Sequence, residues 1–466
     1  MRRDSISRLG LICLSILLLP VIAQAHEIDR TPPADIEALQ QRVAEVLEYH
    51  GVPGAGLALF NRNKVLWAGG VGATAWNGGK PVTADTRFRA GSVTKSLVAA
   101  AIMQQVEAGK LNLTARVKDI APEVDIRNPW HNADPVLVVH LLEHSAGFDD
   151  MHFKDSYNLS EEPAMPLLAA VNHSFESLQV RWRPGSRMSY SNPGYGVAGY
   201  LLEKTAQQPF EQTIDQALFT PLDMPNSTLL FNGGRLEGLA EGYDAPYGEP
   251  VKHRAIYLRP AGNLVTTPRD LAHFGRMLLN KGVFNGKRIL DADSVARMQH
   301  PESTQAAQAG LEYGYGLGIG AHVMDGIVLY GHSGGIDGFL SYYAYSPKHD
   351  FGFVVLLNAS HSGVAIRETA RILLAYLAAD AVPEYPAVAN IDKTQLLDYA
   401  GYYRDASPRN EVMHFMSWLL NIAEVRVVDG KLILDPLFGQ TSTLVPVGNG
   451  LFRPQNAPLA TIVVLD

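Results

Sequence analysis

Ser92 and Lys95 lie three residues apart in the stretch Ser92-Val93-Thr94-Lys95, directly after a glycine. The apolar pattern from Ser92 to Ala108 predicts a helix, and residues i and i+3 share one helix face. The Lys95 amine can therefore reach the Ser92 hydroxyl, while the helix N-terminus offers backbone N–H groups to a developing oxyanion. A serine at a helix start is most often only an N-cap, so this spacing alone does not establish a nucleophile.

A second polar group, Tyr190-Ser191-Asn192, precedes Pro193 and Gly194. One interpretation is a polar turn before a helix, which Asn-Pro-Gly suits. The functional interpretation makes Tyr190 a base and Asn192 both a donor to a substrate carbonyl and a partner of Lys95.

A third group, His332-Ser333-Gly334-Gly335, lies between two strand-like segments. The glycines there can mark a turn or bulge. They also suit a strand edge at which a substrate backbone approaches closely, because glycine has no side chain in the way.

The three groups occur in this order with two further stretches, VHLLEHSAGF at 139–148 and PAGNLVTTPRDL at 260–271. In these residues the chain resembles the family of class C β-lactamases, D-alanyl-D-alanine carboxypeptidases, D-aminopeptidases and related esterases, whose members carry S-x-x-K, Y-x-N and K-T-G or H-x-G. The resemblance covers about residues 35 to 380.

The resemblance implies a role for each residue of the three groups. Ser92 is the nucleophile of a covalent acyl transfer, and Lys95 and Tyr190 carry its proton in an order that the sequence leaves open. The substrate-binding and oxyanion residues are Asn192, His332, Ser333, Gly334 and Gly335, with the oxyanion held by the N–H groups of Ser92 and Gly335. This chemistry needs no metal or organic cofactor. Because a free tyrosine has a pKa near 10, a basic Tyr190 requires a lowered pKa, for which Lys95 is the expected source.

His332 departs from the lysine that β-lactamases of this family place here. Histidine is mostly neutral at pH 7, so we expect weaker attraction to a penicillin carboxylate and a rise in rate on carboxylate substrates as His332 protonates in mild acid. An enzyme acting on D-amino-acid peptides or small esters and amides is therefore the favoured prediction. The alternatives are a class C-like β-lactamase and a penicillin-binding sensor or structural protein with little turnover.

The elements around these groups predict an α+β fold class, with one sheet built from both ends of the domain and an inserted helical lobe. The resemblance implies the β-lactamase/transpeptidase-like form of this fold, an antiparallel sheet flanked by helices. The lobe occupies about 110–325. The predicted helices are 35–49, 92–108, 270–279 and 365–379, and the predicted strands are 55–60, 64–68, 341–345 and 351–357.

A proline-containing linker is predicted at 381–389, after a hydrolase domain at 26–380. Residues 390–466 then predict a small C-terminal all-β domain, with strands at 425–428, 432–434, 443–447 and 460–465. Pro446 predicts that the third of these is an edge strand at best.

Residues 1–25 predict a signal peptide, with a basic start, an apolar run and a small-x-small site before cleavage after Ala25. The chain would then be periplasmic or secreted, with the retained membrane anchor as the alternative. The only cysteine, Cys13, lies in this segment, so disulfides and cysteine-ligated zinc are excluded from the mature chain.

The net charge and the remaining histidines limit the kinds of partner that the sequence predicts. Removing three Arg and one Asp with the signal takes the formal charge from −8 to −10, which disfavours nucleic acid. His140 and His144 flank Glu143, but the order is not the H-E-x-x-H of zinc proteases, so no metal is predicted. The expected partner is a small-molecule or peptide substrate, with no membrane span in the mature chain. The sequence carries no signal for an oligomeric state.

Overall fold

The structure, a computed structural model, describes residues 31–158, 165–231, 234, 236–392, 394–404 and 407–463. The predicted signal segment and Cys13 therefore lie outside the described residues. The strands of the first and larger part are β1 (Gly54–Phe60), β2 (Val65–Gly72), β3 (Phe88–Gly91), β4 (Tyr157–Asn158), β5 (Ala255–Ile256), β6 (Leu264–Thr266), β7 (Val283–Phe284), β8 (Lys287–Arg288), β9 (Gly320–Met324), β10 (Ile327–Ile336), β11 (Phe339–Ser346) and β12 (Phe351–Leu357).

The central sheet joins strands from both ends of this part. Its six antiparallel strands run in the order β2-β1-β12-β11-β10-β9, so the predicted antiparallel sheet is confirmed. Strand β1 is buried on both faces because its side chains alternate: Leu57 and Leu59 enter one core, whereas Ala58 and Phe60 enter the other.

Helices cover both faces of the sheet and form the inserted lobe. They are α1 (Ile36–His50), α2 (Thr94–Glu107), α3 (Val117–Ile120), α4 (Val138–Leu142), α5 (Leu167–His173), α6 (Asn192–Ala206), α7 (Phe210–Ile214), α8 (Arg259–Gly262), α9 (Pro268–Leu279), α10 (Ala292–Gln299), α11 (Gln305–Gln308) and α12 (Gly363–Leu377). On one face α1 packs with α12, and on the other α9 packs against β1 and β12. Helix α2, which precedes the lobe in the chain, packs against α6 of the lobe, and this pairing positions the site.

The C-terminal part is a separate sheet with its own small core. Its elements are β13 (Gly401–Arg404), helix α13 (His414–Leu420), β14 (Ile422–Val428), β15 (Lys431–Pro436), β16 (Ser442–Gly448), β17 (Leu451–Pro454) and β18 (Ile462–Val463). The six strands are antiparallel in sequence order, and the core consists of Leu396, Val425, Leu432, Leu444 and Phe452. Residues 381–392 carry no helix or strand, and the linker at 381–389 stays a prediction.

The edge-strand prediction for Pro446 is wrong, since β16 lies between β15 and β17. The pairing explains how a proline is accommodated there. Strand β15 pairs with β16 only up to Leu444, and the ladder to β17 is irregular between Pro446 and Gly448. The missing N–H of Pro446 is therefore not needed by the ladder to β15.

Within the described residues, no helix is long and apolar enough to cross a membrane.

Candidate active site

Ser92 sits at the junction between β3 and α2. Strand β3 ends at Gly91, whose φ of 49° lies in the left-handed region that glycine tolerates, and α2 begins two residues after Ser92. One helical turn on, Lys95 Nζ lies 3.0 Å from Ser92 Oγ. The predicted i, i+3 contact is therefore present.

Lys95 is fully buried, and its amine has two further neighbours that can only accept hydrogen bonds. Nζ lies 2.7 Å from Asn192 Oδ1 and 2.7 Å from the carbonyl oxygen of Ala261. Burial lowers the Lys95 pKa well below its usual value, against the opposing charge of Asp150. A neutral amine has two N–H donors and one lone pair. The two carbonyl oxygens use the donors, so the lone pair is left for the Ser92 hydroxyl.

Tyr190 and Asn192 are placed by the start of α6. The Ser191 side chain caps this helix by accepting from the Gly194 N–H at 3.2 Å, with Pro193 in the first turn. The local structure is thus the predicted turn before a helix, and it brings Tyr190 to the Ser92 hydroxyl, with which its phenol hydrogen-bonds.

The expected lowering of the Tyr190 pKa is wrong in direction. Burial raises this pKa above the usual value for tyrosine, and the hydrogen bond with Ser92 and the charge of Arg409 offset only part of that rise. The physical reason is that desolvation of a phenolate costs more than these interactions return. Tyr190 is therefore a neutral phenol that can give a proton.

Asp150 is a buried residue of the site that the sequence did not indicate. One of its oxygens accepts from the Asn192 N–H and Nδ2, each at 2.9 Å, and from the Met151 N–H at 2.9 Å. These bonds orient the Asn192 amide so that Oδ1 faces Lys95. The only available signal was position, because Asp150 lies two residues after the end of the 139–148 stretch.

His332 lies in β10 with its side chain turned into the protein. Nε2 is 2.7 Å from the Tyr315 hydroxyl, and Nδ1 is 2.5 Å from the Ser333 carbonyl oxygen. Burial lowers the His332 pKa to about 3. The imidazole is therefore neutral, as expected, but the predicted protonation in mild acid is wrong because desolvation outweighs the hydrogen bonds.

Alternation along β10 separates the other predicted residues of this strand. Ser333 and Gly335 are exposed, whereas Gly334 is buried. A Cβ at Gly334 would lie 2.0 Å from the Ala90 carbonyl oxygen and 3.0 Å from the Ser92 nitrogen. Gly334 therefore admits the backbone of β3 rather than a substrate.

The backbone at Gly91 and Ser92 also lies close to the backbone of Gly335. A Cβ at Gly91 would come within 2.9 to 3.0 Å of three backbone atoms of Gly335. The peptide groups of Ser92 and Gly335 are thus neighbours across the site. The oxyanion hole formed by the N–H groups of Ser92 and Gly335 stays a prediction.

His140 and His144 each accept a hydrogen bond from a backbone N–H. His140 Nδ1 accepts from the Leu137 N–H at 3.2 Å, and His144 Nδ1 accepts from the Ser191 N–H at 3.1 Å. The His144 ring also packs on Tyr190, with centroids 4.1 Å apart. In the part of the chain that the structure describes, no group of three or more His, Cys, Asp or Glu could hold a metal ion.

A segment of the C-terminal part, Pro408–Glu411, lies against the site. Arg181 Nη1 and Ser189 Oγ donate to the Pro408 carbonyl oxygen at 3.0 and 3.1 Å. Asp150 N–H donates to the Arg409 carbonyl oxygen at 3.2 Å, and the Arg409 Nε lies 2.5 Å from Asp150 Oδ2. The sequence carried no signal for this contact, which joins residues 259 positions apart.

Beside Ser92 is a cavity of about 120 Å³, and Arg409 forms part of its wall. The other lining residues include Tyr157, Asn192, Gly262 and Gly335. The cavity therefore brings together Ser92, Asn192 and one guanidinium from the C-terminal part.

The beta-lactamase family model matches residues 39–377. This chain belongs to the beta-lactamase family. The match spans the central sheet, the helical lobe and all three predicted groups. The family includes serine hydrolases, and the catalytic roles of Ser92, Lys95, Tyr190, Asn192, His332, Ser333, Gly334 and Gly335 remain predictions for this member.

Relatives of this beta-lactamase-family protein agree with that placement. It is 28% identical to Penicillin-binding protein 4 of Amycolatopsis lactamdurans, over 76% of this chain and 93% of the relative. The octameric penicillin-binding protein homologue from Pyrococcus abyssi is similar in structure, with a TM-score of 0.63 and 23% identity over 90% of this chain and 93% of that one. The D-amino acid amidase from Ochrobactrum anthropi SV3 has a TM-score of 0.62 and 23% identity, over 74% of this chain and 99% of that one.

Proposed function

We propose that this protein is an exported serine hydrolase that forms an acyl-enzyme at Ser92 and acts on D-amino-acid peptides or small amides and esters. The observation behind the proposal is the position of Lys95 Nζ, 3.0 Å from Ser92 Oγ, with two carbonyl oxygens occupying its N–H donors. That geometry suits a neutral amine that removes the serine proton.

The proposed reaction uses the residues in sequence. Ser92 Oγ attacks the substrate carbonyl carbon and passes its proton to Lys95. The N–H groups of Ser92 and Gly335 stabilise the oxyanion. Tyr190, a neutral phenol, donates a proton to the leaving amine or alcohol, and Lys95 replaces it. Water then hydrolyses the ester of Ser92 by the reverse proton path.

The preference for peptides, amides or esters over β-lactams follows from His332. A buried imidazole with a pKa of about 3 supplies no positive charge to a penicillin carboxylate. A β-lactamase or a slowly turning-over penicillin-binding protein is the second candidate, favoured by the 28% identity to a protein named as penicillin-binding.

Export remains part of the proposal on sequence grounds alone. The basic start, the apolar run and the small-x-small site at Ala23–Ala25 support cleavage after Ala25. N-terminal sequencing of exported protein tests it: a chain beginning at His26 supports export with cleavage, and an intact Met1 on a membrane-bound product contradicts cleavage.

Time-resolved mass spectrometry of the intact protein tests the reaction. The substrates are a penicillin, a D-amino-acid amide, a D-peptide and a small ester. Turnover of the peptide, amide or ester with a transient adduct on Ser92 supports the proposal. Fast penicillin turnover indicates a β-lactamase, and a lasting penicillin adduct without turnover of any substrate indicates a binding protein.

A further inference from the structure

One cationic side chain that lines the cavity is exposed enough to contact a substrate, and it belongs to the C-terminal part. Arg409 lines the cavity beside Ser92, and its side chain is 57% exposed. Lys95 is buried and bonded on all sides, and His332 is neutral. Among the described residues that line this cavity, Arg409 is the only cationic side chain.

The guanidinium of Arg409 is held by one edge only. The Arg409 Nε pairs with Asp150 Oδ2 at 2.5 Å, and the guanidinium carbon, Cζ, lies 4.6 Å from the centre of the Tyr190 ring. The ion pair and the cation–π contact hold the guanidinium beside the Tyr190 ring. No described residue hydrogen-bonds to Nη1 or Nη2, so these two donors remain for a planar, bidentate carboxylate.

Asp150 is the acid closest to that position, and its oxygens are already engaged. Oδ1 accepts from the N–H of Met151 and from the N–H and Nδ2 of Asn192, whereas Oδ2 accepts from Arg409 Nε. Asp150 therefore occupies only the Nε of Arg409, and the Nη1 and Nη2 atoms can bind a substrate carboxylate.

The position of Arg409 indicates whether it contacts the leaving group or the acyl group of the substrate. In the proposed reaction Tyr190 protonates the leaving group, and Arg409 stacks on Tyr190. The cation therefore lies on the leaving-group side of the scissile bond rather than on the acyl side. A penicillin carries its carboxylate on the same side, so the preference for peptides over β-lactams rests on the neutral His332 in the place of the β-lactamase lysine and not on the absence of every cation.

We propose that Arg409 is a specificity-determining residue that binds a carboxylate on the leaving group, so that the preferred substrates are acyl amino acids and peptides cleaved at a free C-terminal residue. This inference rests on the proposed hydrolase. The Ser92 Oγ–carbon bond forms and the carbon–nitrogen bond breaks. The leaving nitrogen takes one proton and departs as an amino acid, and water releases the acyl group as a carboxylic acid.

A matched pair of thioesters tests the inference in the full chain. N-benzoylglycyl thioglycolate carries a carboxylate on the leaving thiol, and N-benzoylglycyl thioglycolamide carries a neutral carboxamide at the same place. The readout is the ratio of kcat/KM for the carboxylate thioester to that for the carboxamide, with thiol release as the signal.

The wild-type ratio should exceed one, and Arg409→Gln should lower it by about 10- to 150-fold, the usual range for a charged hydrogen-bonded pair. Arg409→Lys should keep part of the preference. Loss of the pair with Asp150 slows both substrates alike and cancels in the ratio. The matched control is Arg404→Gln, which removes an exposed cation of the same part that stacks on Trp418 and should leave the ratio unchanged.

Two negative results are distinguishable. Cleavage of both thioesters with a ratio near one, or a ratio that Arg409→Gln does not change, overturns the role of Arg409 and leaves the hydrolase standing. Failure of both thioesters to react, with no acyl adduct on Ser92, overturns the proposed function itself.

Discussion

Lys95 Nζ lies 2.7 Å from Asn192 Oδ1, although 97 residues separate the two in the chain. The packing of α2 against α6 makes this contact, and Asp150 determines which atom of the Asn192 amide faces the amine. A carbonyl-type oxygen can only accept. The contact therefore commits one N–H of Lys95 and helps to leave its lone pair for Ser92.

Ser92→Ala should abolish labelling by a fluorophosphonate probe and all substrate turnover, because the acyl-accepting oxygen is gone. The fold should persist, since the lost hydroxyl is at the surface of a cavity. Gel fluorescence and circular dichroism measure the two effects. The control is Ser362→Ala, which removes the N-cap of α12 and should cost about 1 kcal/mol of stability while labelling continues. Covalent labelling of another serine in Ser92→Ala would contradict the assignment.

Lys95 should control the acidic limb of the pH–rate profile. The amine must be neutral to take the Ser92 proton, and burial lowers its pKa. The kcat/KM should therefore be retained at neutral pH and fall as the pH drops through this lowered pKa. Tyr190→Phe should lower kcat/KM by about 10²- to 10⁴-fold and keep the acidic limb. A limb that disappears in Tyr190→Phe would assign the first proton transfer to Tyr190 instead.

Asp150→Asn should shift the same limb to lower pH. The Asp150 charge raises the Lys95 pKa, so its removal lowers that pKa further. The rate should also fall, because the ion pair with Arg409 is lost and Asn192 is less firmly held. A slower enzyme with an unmoved limb would mean that Asp150 acts only on structure.

Acid should destabilise the fold through His332, without activating the enzyme. The folded-state pKa of about 3 is below the unfolded value near 6.5. The unfolded chain therefore binds more protons between these values, and stability that is complete above pH 6.5 is lost as the pH falls toward 3. The Tm of His332→Gln should decline less steeply from pH 7 to pH 4 than that of the wild type. The exposed His131→Gln is the control. An equal slope in His332→Gln, or a rise in the rate on carboxylate substrates between pH 7 and pH 5, would contradict the buried neutral imidazole.

A chain cut after Pro386 should fold and label at Ser92. The residues of the two large cores all lie between Leu39 and Leu374, whereas the C-terminal sheet has a core of its own. The Tm should fall, because Arg181, Asp149 and Asp150 lose their partners in the 408–411 segment, and the carboxylate preference should disappear with Arg409. Calorimetry and the thioester pair measure these effects. A truncated chain without a cooperative transition would show that the sheet belongs to the main folding unit.

The sequence alone was enough for the features that depend on local spacing. The strand β1, the helical periodicity of α1, α2, α9 and α12 and the reach from Lys95 to Ser92 all follow from residues that are close in the chain. The single sheet built from both ends of the first part followed from the order of its elements, and the resemblance implied its antiparallel form. The resemblance in the three polar groups then indicated the family.

Tertiary structure decided what depends on burial and on distant partners. The pKa directions of Tyr190 and His332 reversed two expectations, because desolvation is set by everything packed around a group and not by its neighbours in sequence. Asp150 and the Ala261 carbonyl enter the site only when α6 and α8 pack on α2. Arg409 reaches it only because the C-terminal part docks through Arg181 and Asp149, contacts with no periodicity or motif to reveal them.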